Sequence, residues 1–181
     1  MANHCSNYIS IYGRDVEKVS ELFQEGILYS YDDFKTMAQI SDEEELKDFG
    51  TKWFEISYKD FENEVLILCG DSAWSPPIEL FENLSSLYNV NITMQYEECG
   101  CDFGGITSIK DGVTVEEHIL SFYAYQLVYV DGLSMFLDNI EYFDWDSMED
   151  FYKVYGEDTE FIKALSEEDL ENIEKTIKNS K

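Results

Sequence analysis

The sequence predicts an α+β fold of the split βαβ type, in which one antiparallel sheet carries two helices on one face. Through residue 97, the hydrophobic periodicities follow the order strand, helix, strand, strand, helix, strand. Of the 181 residues, 44 % are apolar and 15 % are aromatic, which is enough for a packed core despite the heavy charge. We therefore expect one folded domain, or one domain with an appendage.

The first strand and the first helix are predicted near the start of the chain. Ile9 and Ile11 alternate with polar residues over 7–12, which is typical of a half-buried strand. Asp15 is positioned to cap the following helix, whose apolar side chains recur at helical spacing. Gly26 is expected to close that helix, because glycine readily adopts the left-handed conformation found at helix ends.

An insertion is predicted near 27–50, where the hydrophobic pattern is less regular. Ser41 and Glu44 have the spacing of a helix capping box. Phe49 contributes to a short apolar edge at the end of this segment.

Two further strands are predicted on either side of a turn at "KDFEN". Before the turn, Phe54, Ile56 and Tyr58 alternate with their neighbours and are expected to share one face. After the turn, "EVLILCG" is a continuous apolar run of strand length. Such a run predicts a central strand that is covered on both faces.

The stretch "DSAWSPP" contains both prolines of the chain and predicts a corner between a strand and a helix. The strand is expected to end at Gly70. The helix is expected to begin at Pro76 with Ser75 as its cap, because proline is preset for the first helical turn. The apolar face of this helix is formed by Ile78, Phe81, Leu84 and Tyr88.

"VNITMQYEE" is the clearest strand pattern in the sequence, because apolar and polar residues alternate throughout it. Extended structure resumes after "CGCDFGG", and Asp111-Gly112 predicts a hairpin turn. Residues 113–130 keep no clean period, so the sequence leaves their structure open. The order of elements predicts a ferredoxin-like split βαβ antiparallel sheet with an extra hairpin.

A helical C-terminal part follows. Short helices are predicted over 133–140 and 151–155, and a capping box at Ser166 opens a final helix. We therefore expect a ferredoxin-like domain over 1–130 and an acidic helical extension over 131–181 that packs on it.

The chain is strongly acidic. Thirty-nine Asp and Glu residues against 12 Lys and Arg residues give a formal net charge of −27 and a pI near 4.1. Such a charge repels nucleic acids and anionic membranes and favours a basic protein partner. Fourteen of the acidic residues lie in 138–174, and a smaller acidic patch lies in 42–45. The predicted partner surface consists of Asp138, Glu141, Asp144, Asp146, Glu149, Asp150, Glu157, Asp158 and Glu160.

The start of the sequence shows neither the basic segment nor the apolar segment of a secretory signal. No apolar run approaches the ~20 residues that a membrane helix needs. With four cysteines and no export signal, free thiols are favoured over disulfides. We therefore expect a cytoplasmic protein.

Three patches of sequence occur together in the first part of the chain. They are "MANHCSNYISIYG", "AWSPP" and the spacing Tyr96-x-Glu98-x-Gly100-x-x-Phe103-x-Gly105. Together they resemble the YubB ferredoxin-like family, whose members occur on bacterial plasmids and in phages. The resemblance covers roughly residues 1–115 and implies a ferredoxin-like fold, but it implies neither an iron–sulfur cluster nor a reaction. Residues 27–50 and the chain beyond about 130 do not share it.

Cys99 and Cys101, together with His4, Cys5 or His118, are of the residue types that bind zinc. Structural zinc sites usually separate paired cysteines by two to four residues, whereas one residue separates this pair, so ordinary thiols at a turn are favoured. Neither histidine lies in a motif that pairs a nucleophile with a base. The sequence therefore predicts no metal, no cofactor and no enzymatic activity.

Two kinds of function remain. The leading hypothesis is a non-enzymatic interaction protein whose acidic surface engages a basic partner, for instance a DNA mimic that acts against a host nucleic-acid-binding or defence protein. The alternative is a small-ligand or peptide-binding module, in which Trp74 and Phe103 line a groove at an aromatic rim of the sheet. A place in the core is favoured for both residues, because aromatic side chains bury a large area. The sequence determines neither the oligomeric state nor the identity of a partner.

Overall fold

Seven strands of the described chain form one sheet in the computed structural model. The structure describes residues 3–39, 49–126, 147–155, 162–163 and 165–179. The strands are β1 (His4–Gly13), β2 (Leu28–Ser30), β3 (Trp53–Glu62), β4 (Val65–Ala73), β5 (Val90–Glu98), β6 (Phe103–Lys110) and β7 (Val113–Leu120). The helices are α1 (Val16–Leu22), α2 (Tyr31–Met37), α3 (Ile78–Tyr88), α4 (Phe122–Tyr125), α5 (Met148–Tyr155) and α6 (Glu167–Asn179).

The strand order in the sheet is β2-β3-β4-β1-β5-β6-β7. β1 pairs antiparallel with both β4 and β5, and β3 pairs antiparallel with β4. The crossovers that contain α1 and α3 therefore connect strands that are not neighbours, which is the split βαβ topology. The predicted ferredoxin-like arrangement is confirmed, and β2, β6 and β7 extend it at both edges.

The core lies between α1, α3 and one face of the sheet. Phe81 of α3 stacks on Phe23 with ring centroids 5.9 Å apart, and it meets Phe54 of β3 edge-on at 6.1 Å. Alternate residues of the central strands complete this core, because successive side chains of a strand point to opposite faces. They include Ile9, Ile11, Leu66, Leu68, Ile92 and Met94.

α1 is stabilised differently from the prediction. Asp15 precedes the helix, but its side chain makes no cap bond and lies 2.8 Å from Lys18 Nζ, which lowers the pKa of Asp15. The helix ends at Leu22, and Gly26 lies in the turn beyond it at φ +78°. The N–H of Gly26 donates to the carbonyl of Ile56 at 2.8 Å, so the expectation that Gly26 closes the helix is wrong.

The corner between β4 and α3 is confirmed, but its details differ from the prediction. β4 continues beyond Gly70 to the end of the stretch "DSA", and Trp74 turns the chain with φ +70°. α3 begins after Pro77, which is the N-cap residue and makes no side-chain hydrogen bond to the helix. The Ser75 hydroxyl donates to the Gly50 carbonyl instead of capping the helix.

The hairpin between β3 and β4 is tighter than predicted. Asn63 and Glu64 form a two-residue turn with φ +52° and +62°, while most of "KDFEN" belongs to β3. Along β4 the burial alternates, with Leu66 fully buried and Ile67 only half-buried. The expected cover on both faces of this strand is therefore wrong.

The predicted insertion contains β2 and α2. β2 pairs antiparallel with β3 at one edge of the sheet. At the start of α2, the N–H of Ser30 donates to the Asp33 carboxylate at 2.7 Å and the N–H of Asp33 donates to the Ser30 hydroxyl at 3.4 Å. The Ser30 hydroxyl also donates to Asp33 Oδ2 at 2.7 Å, and the bonds that the carboxylate accepts from this hydroxyl and from the Ser30 N–H lower the pKa of Asp33. The capping box predicted at Ser41 and Glu44 lies outside the described residues.

The chain divides into two compact units. The first comprises Met1–Cys101 and Gly105–His118, and the second comprises Asp102–Gly104 and Ile119–Lys181. The domain boundary expected near residue 130 stays a prediction. In the part of the chain that the structure describes, no helix combines the length and the apolar character needed to cross a membrane.

In the second unit, α5 packs against α6, and Phe151 and Ile173 are buried. The capping box predicted for the final helix is confirmed. The N–H of Ser166 donates to Asp169 Oδ2 at 2.9 Å, and the N–H of Asp169 donates to Ser166 Oγ at 3.2 Å. The helix predicted over 133–140 lies outside the described residues.

Candidate functional site

The sheet face opposite the core is exposed or half-buried on the four central strands, and we term it the open face. The antiparallel registers align its side chains in rows that run across the strands. Its members are His4, Ser6, Tyr8, Ser10 and Tyr12 of β1; Trp53, Glu55, Tyr58, Asp60 and Glu62 of β3; Val65, Ile67, Cys69 and Asp71 of β4; and Asn91, Thr93, Gln95 and Glu97 of β5.

Tyr58 lies on the open face because β3 contains a β-bulge. The pairing with β4 leaves Ser57 as an extra residue, which shifts the alternation of side chains by one position. Phe54 and Ile56 are fully buried, whereas Tyr58 is 49 % exposed. The prediction that these three residues share one face is therefore wrong at Tyr58.

The bulge completes a row of three side chains, Tyr58, Cys69 and Tyr8, which we term the tyrosine slot. Neighbouring strands lie ~4.8 Å apart, so the two tyrosines stand about 9.6 Å from each other on either side of the shorter cysteine. Tyr8 is 46 % exposed. Burial raises the pKa of the Cys69 thiol, which therefore forms a neutral floor at pH 7.

Acidic side chains surround the tyrosine slot. Within the described residues of the four central strands, the open face carries five carboxylates and neither lysine nor arginine. The Asp71 side chain is 44 % exposed and lies 3.5 Å from His4 Nδ1, and it accepts a hydrogen bond from Ser6 Oγ at 2.9 Å. The open face therefore combines aromatic surface with negative potential, which favours a cationic group.

Residues 34–172 match the family described as the ferredoxin-like domain in Api92-like protein. The chain belongs to this family. Among solved structures, a protein api92 from Yersinia pseudotuberculosis is similar with a TM-score of 0.41 and 9 % sequence identity, over 65 % of this chain and 98 % of that chain. No curated protein matches the chain.

The match to the Api92-like family shows a ferredoxin-like family over a range that differs from that of the YubB resemblance. That resemblance was confined to roughly residues 1–115, with nothing shared in 27–50 or beyond about 130. The family match begins at residue 34 and continues to residue 172. Most of the acidic region 138–174 therefore lies within the length of the Api92-like domain, and so does most of the predicted insertion.

Trp74 and Phe103 were predicted either to fill the core or to line a groove. Trp74 is 46 % exposed at the corner before α3, so its expected place in the core is wrong. The backbone N–H of Trp74 donates to the backbone carbonyl of Asn3 at 3.0 Å. Phe103 is half-buried at the start of β6 and belongs to the second unit. That the two residues line one groove stays a prediction.

Only part of the predicted acidic partner surface falls on described residues of this Api92-like domain. Glu149 and Asp150 lie in the first turn of α5, and both pair with Lys153, at 3.1 and 3.3 Å. These pairs raise the pKa of Lys153. The other predicted residues, Asp138, Glu141, Asp144, Asp146, Glu157, Asp158 and Glu160, lie outside the described residues, as does the patch 42–45.

The candidate zinc ligands have other neighbours. Cys101 interacts with Glu98, which raises the pKa of its thiol, and His118 Nε2 lies 3.1 Å from Glu116. Cys5 is fully buried, and burial raises its pKa to about 12. Within the described ranges, no three His, Cys, Asp or Glu side chains are grouped to hold a metal ion.

Neither Tyr8 nor Tyr58 was predicted from the sequence to be a site residue. The signal for Tyr8 was present, since it alternates with the buried Ile9 and Ile11. An exposed tyrosine in a central strand could therefore have been expected. No such signal exists for Tyr58, because its side of the sheet depends on the bulge at Ser57.

Proposed function

We propose that this Api92-like protein is a non-enzymatic interaction protein that engages a basic partner through its open face. One observation carries the proposal: five carboxylates share this face with the exposed Tyr8, Tyr12 and Tyr58. Carboxylates attract a cationic partner over distance, and aromatic rings hold cationic side chains at contact. Both properties favour the binding of a segment rich in lysine and arginine.

The composition of the open face favours a protein over a nucleic acid as the partner. Sheet faces that bind single-stranded nucleic acids combine stacking aromatic side chains with a positively charged groove. The open face carries negative charge instead, so it would repel phosphates. The same argument disfavours an anionic membrane surface.

Finer parts of the proposal come from the sequence. They are membership of the YubB ferredoxin-like family, a phage or plasmid setting, and a cytoplasmic location in which Cys5, Cys69, Cys99 and Cys101 are free thiols. In the DNA-mimic version, the carboxylates of 138–174 imitate a row of phosphates and occupy the basic groove of a host nucleic-acid-binding or defence protein. The net charge of −27 supports this version.

The second candidate function is a small-ligand or peptide-binding module at an aromatic rim. The exposure of Trp74 favours it, because this large aromatic residue is 46 % exposed at the corner before α3. Substituting Trp74 with alanine should abolish binding in this case and leave binding unchanged if the open face is the site.

The proposal is tested with a variant whose open face is partly neutralised. It carries Glu55→Gln, Asp60→Asn and Asp71→Asn, which surround the tyrosine slot. Binding of a synthetic peptide with mixed lysines and arginines would be measured by calorimetry at low and at physiological salt. The variant should bind about tenfold more weakly at low salt, because three favourable charge interactions are lost.

A matched variant carries the same change in net charge in the predicted C-terminal surface, with Glu157→Gln, Asp158→Asn and Glu160→Gln. Retained binding by this variant supports the open face as the docking surface. Loss of binding in this variant alone would move the site to the C-terminal region and favour the DNA-mimic version. Equal, small losses in both variants would refute a dedicated surface.

A further inference from the structure

We propose that the tyrosine slot binds one arginine side chain of the basic partner. This inference rests on the proposed function and names the group that the open face recognises. The slot is formed by Tyr8, Cys69 and Tyr58 on three adjacent strands. No sequence motif marks it, because its residues come from three separate segments.

The slot is wide enough to admit one planar group. A flat group stacked between two rings needs about 3.5–4.0 Å on each side, or about 7–8 Å between the rings. The two tyrosines are two strand spacings apart, about 9.6 Å. The intervening Cys69 has a shorter side chain than either tyrosine and is half-buried.

Carboxylates lie at both ends of the slot. Asp71 follows Cys69 by two positions on β4, and Asp60 follows Tyr58 by two positions on β3. Two residues along a strand span about 6.8 Å. Because β3 and β4 are antiparallel, the two carboxylates extend in opposite directions from the slot. A guanidinium stacked in the slot would therefore present its N–H groups to an acceptor on either side.

This chemistry favours arginine over lysine. The guanidinium is planar, stacks on aromatic rings and is less strongly hydrated than an ammonium group. A lysine ammonium is a compact, strongly hydrated charge, so contact with two aromatic rings stabilises it less. The surrounding carboxylates attract both cations over distance, so the preference depends on the tyrosines, which hold the planar guanidinium between them.

The bulge gives a second, independent reason to assign a role to the slot. A bulge interrupts the ladder of strand hydrogen bonds, and such irregularities are frequent beside binding sites, where they redirect a side chain. Here the extra residue turns Tyr58 from the core to the open face, directly in line with Cys69 and Tyr8. The Ser57 hydroxyl donates to the Cys69 carbonyl at 3.2 Å, which ties the bulge to the floor of the slot.

The test uses the full chain and two peptides of equal length and net charge, one with arginines and one with lysines at the same positions. Calorimetry should give about tenfold tighter binding of the arginine peptide. Tyr8→Leu and Tyr58→Leu should each remove this preference and leave the lysine peptide unaffected. Tyr12→Leu is the matched control for the preference: Tyr12 is equally exposed on the same face of β1 but lies outside the slot, so its replacement should change the binding of both peptides alike and keep the preference for arginine.

Cys69→Leu provides a variant that keeps both tyrosines and fills the space between them, and it should also remove the preference. If the unmodified protein bound both peptides with equal affinity, the tyrosine slot would not be an arginine site, and the proposed function would still hold. Binding of neither peptide would overturn both. A single-stranded oligonucleotide that binds and is lost with Tyr8→Leu would also overturn the slot as an arginine site.

Discussion

Replacing Lys59 with methionine should destabilise the end of α1. Lys59 follows the bulge in β3, and its Nζ donates to the carbonyls of Ser20 at 2.6 Å and Phe23 at 2.9 Å. The last carbonyls of a helix have no partner within the helix, and a cation at this end is also favoured by the helix dipole. Methionine retains most of the apolar stem and removes the charged donor.

The expected loss follows from these bonds. A hydrogen bond to a charged group contributes about 1.5–3 kcal/mol, and the half-buried position of Lys59 favours the lower half of this range. Both bonds come from one ammonium group, so we count them together and expect the free energy of unfolding to fall by about 2 kcal/mol. With a urea m-value of about 2 kcal/mol/M, the midpoint of unfolding should fall by about 1 M. Tryptophan fluorescence in a urea series measures both quantities.

Lys110→Met is the matched control, because Lys110 is exposed on β6 and its replacement changes the net charge by the same amount. It should change the free energy of unfolding by no more than about 0.5 kcal/mol. If Lys59→Met and Lys110→Met had the same small effect at an unchanged m-value, the carbonyl contacts of Lys59 would contribute nothing, and the reasoning would be refuted.

Three further changes have defined outcomes. Thr51→Val removes a buried hydroxyl that accepts a hydrogen bond from the Ala73 N–H at 2.8 Å and donates to the Ala73 carbonyl at 2.9 Å. The free energy of unfolding should fall by about 1–3 kcal/mol, which thermal melting would detect. An unchanged melting temperature would contradict this expectation. Iodoacetamide at pH 8 should label Cys99, which is exposed, well before Cys5, whose pKa burial raises to about 12; mass spectrometry would detect the contrary order. The Ser30 bonds lower the pKa of Asp33 in the folded state, so their stabilisation is present above about pH 4 and is lost as the pH falls through that lowered pKa. Between about pH 5 and pH 2, the free energy of unfolding should therefore fall less for the Asp33→Asn variant than for the unmodified protein, as measured by urea titrations. If the two plots of this free energy against pH were parallel, the expectation would be wrong.

Strands with strict alternation were predictable from the sequence. β5 has the predicted bounds, since Val90, Ile92, Met94 and Tyr96 are buried and polar residues separate them. The turn at Asp111-Gly112 is also confirmed, with φ +52° and +79°. The strand depends on the burial of one of its faces, and the turn depends on the local conformational preferences of its residues. Both can be recognised in the sequence.

Helix boundaries were less predictable where a polar group bonds to a distant part of the chain. Ser75 has the right position for a local cap, but its hydroxyl donates to Gly50. Gly26 follows α1 closely, but its N–H donates to Ile56 across the sheet. A sequence pattern records which groups can form hydrogen bonds nearby, and it does not record which distant partner competes for them.

The candidate site was only half predictable, for a reason that concerns β3. The net charge is a property of composition, so the prediction of a basic partner needs only the sequence. The position of Tyr58 is a property of two strands, because a bulge exists only relative to the register of the partner. Tyrosine is also tolerated on either face, so its chemistry did not reveal the shift. The extra residue Ser57 therefore decides whether Tyr8 has a second tyrosine in its row and forms a slot with it.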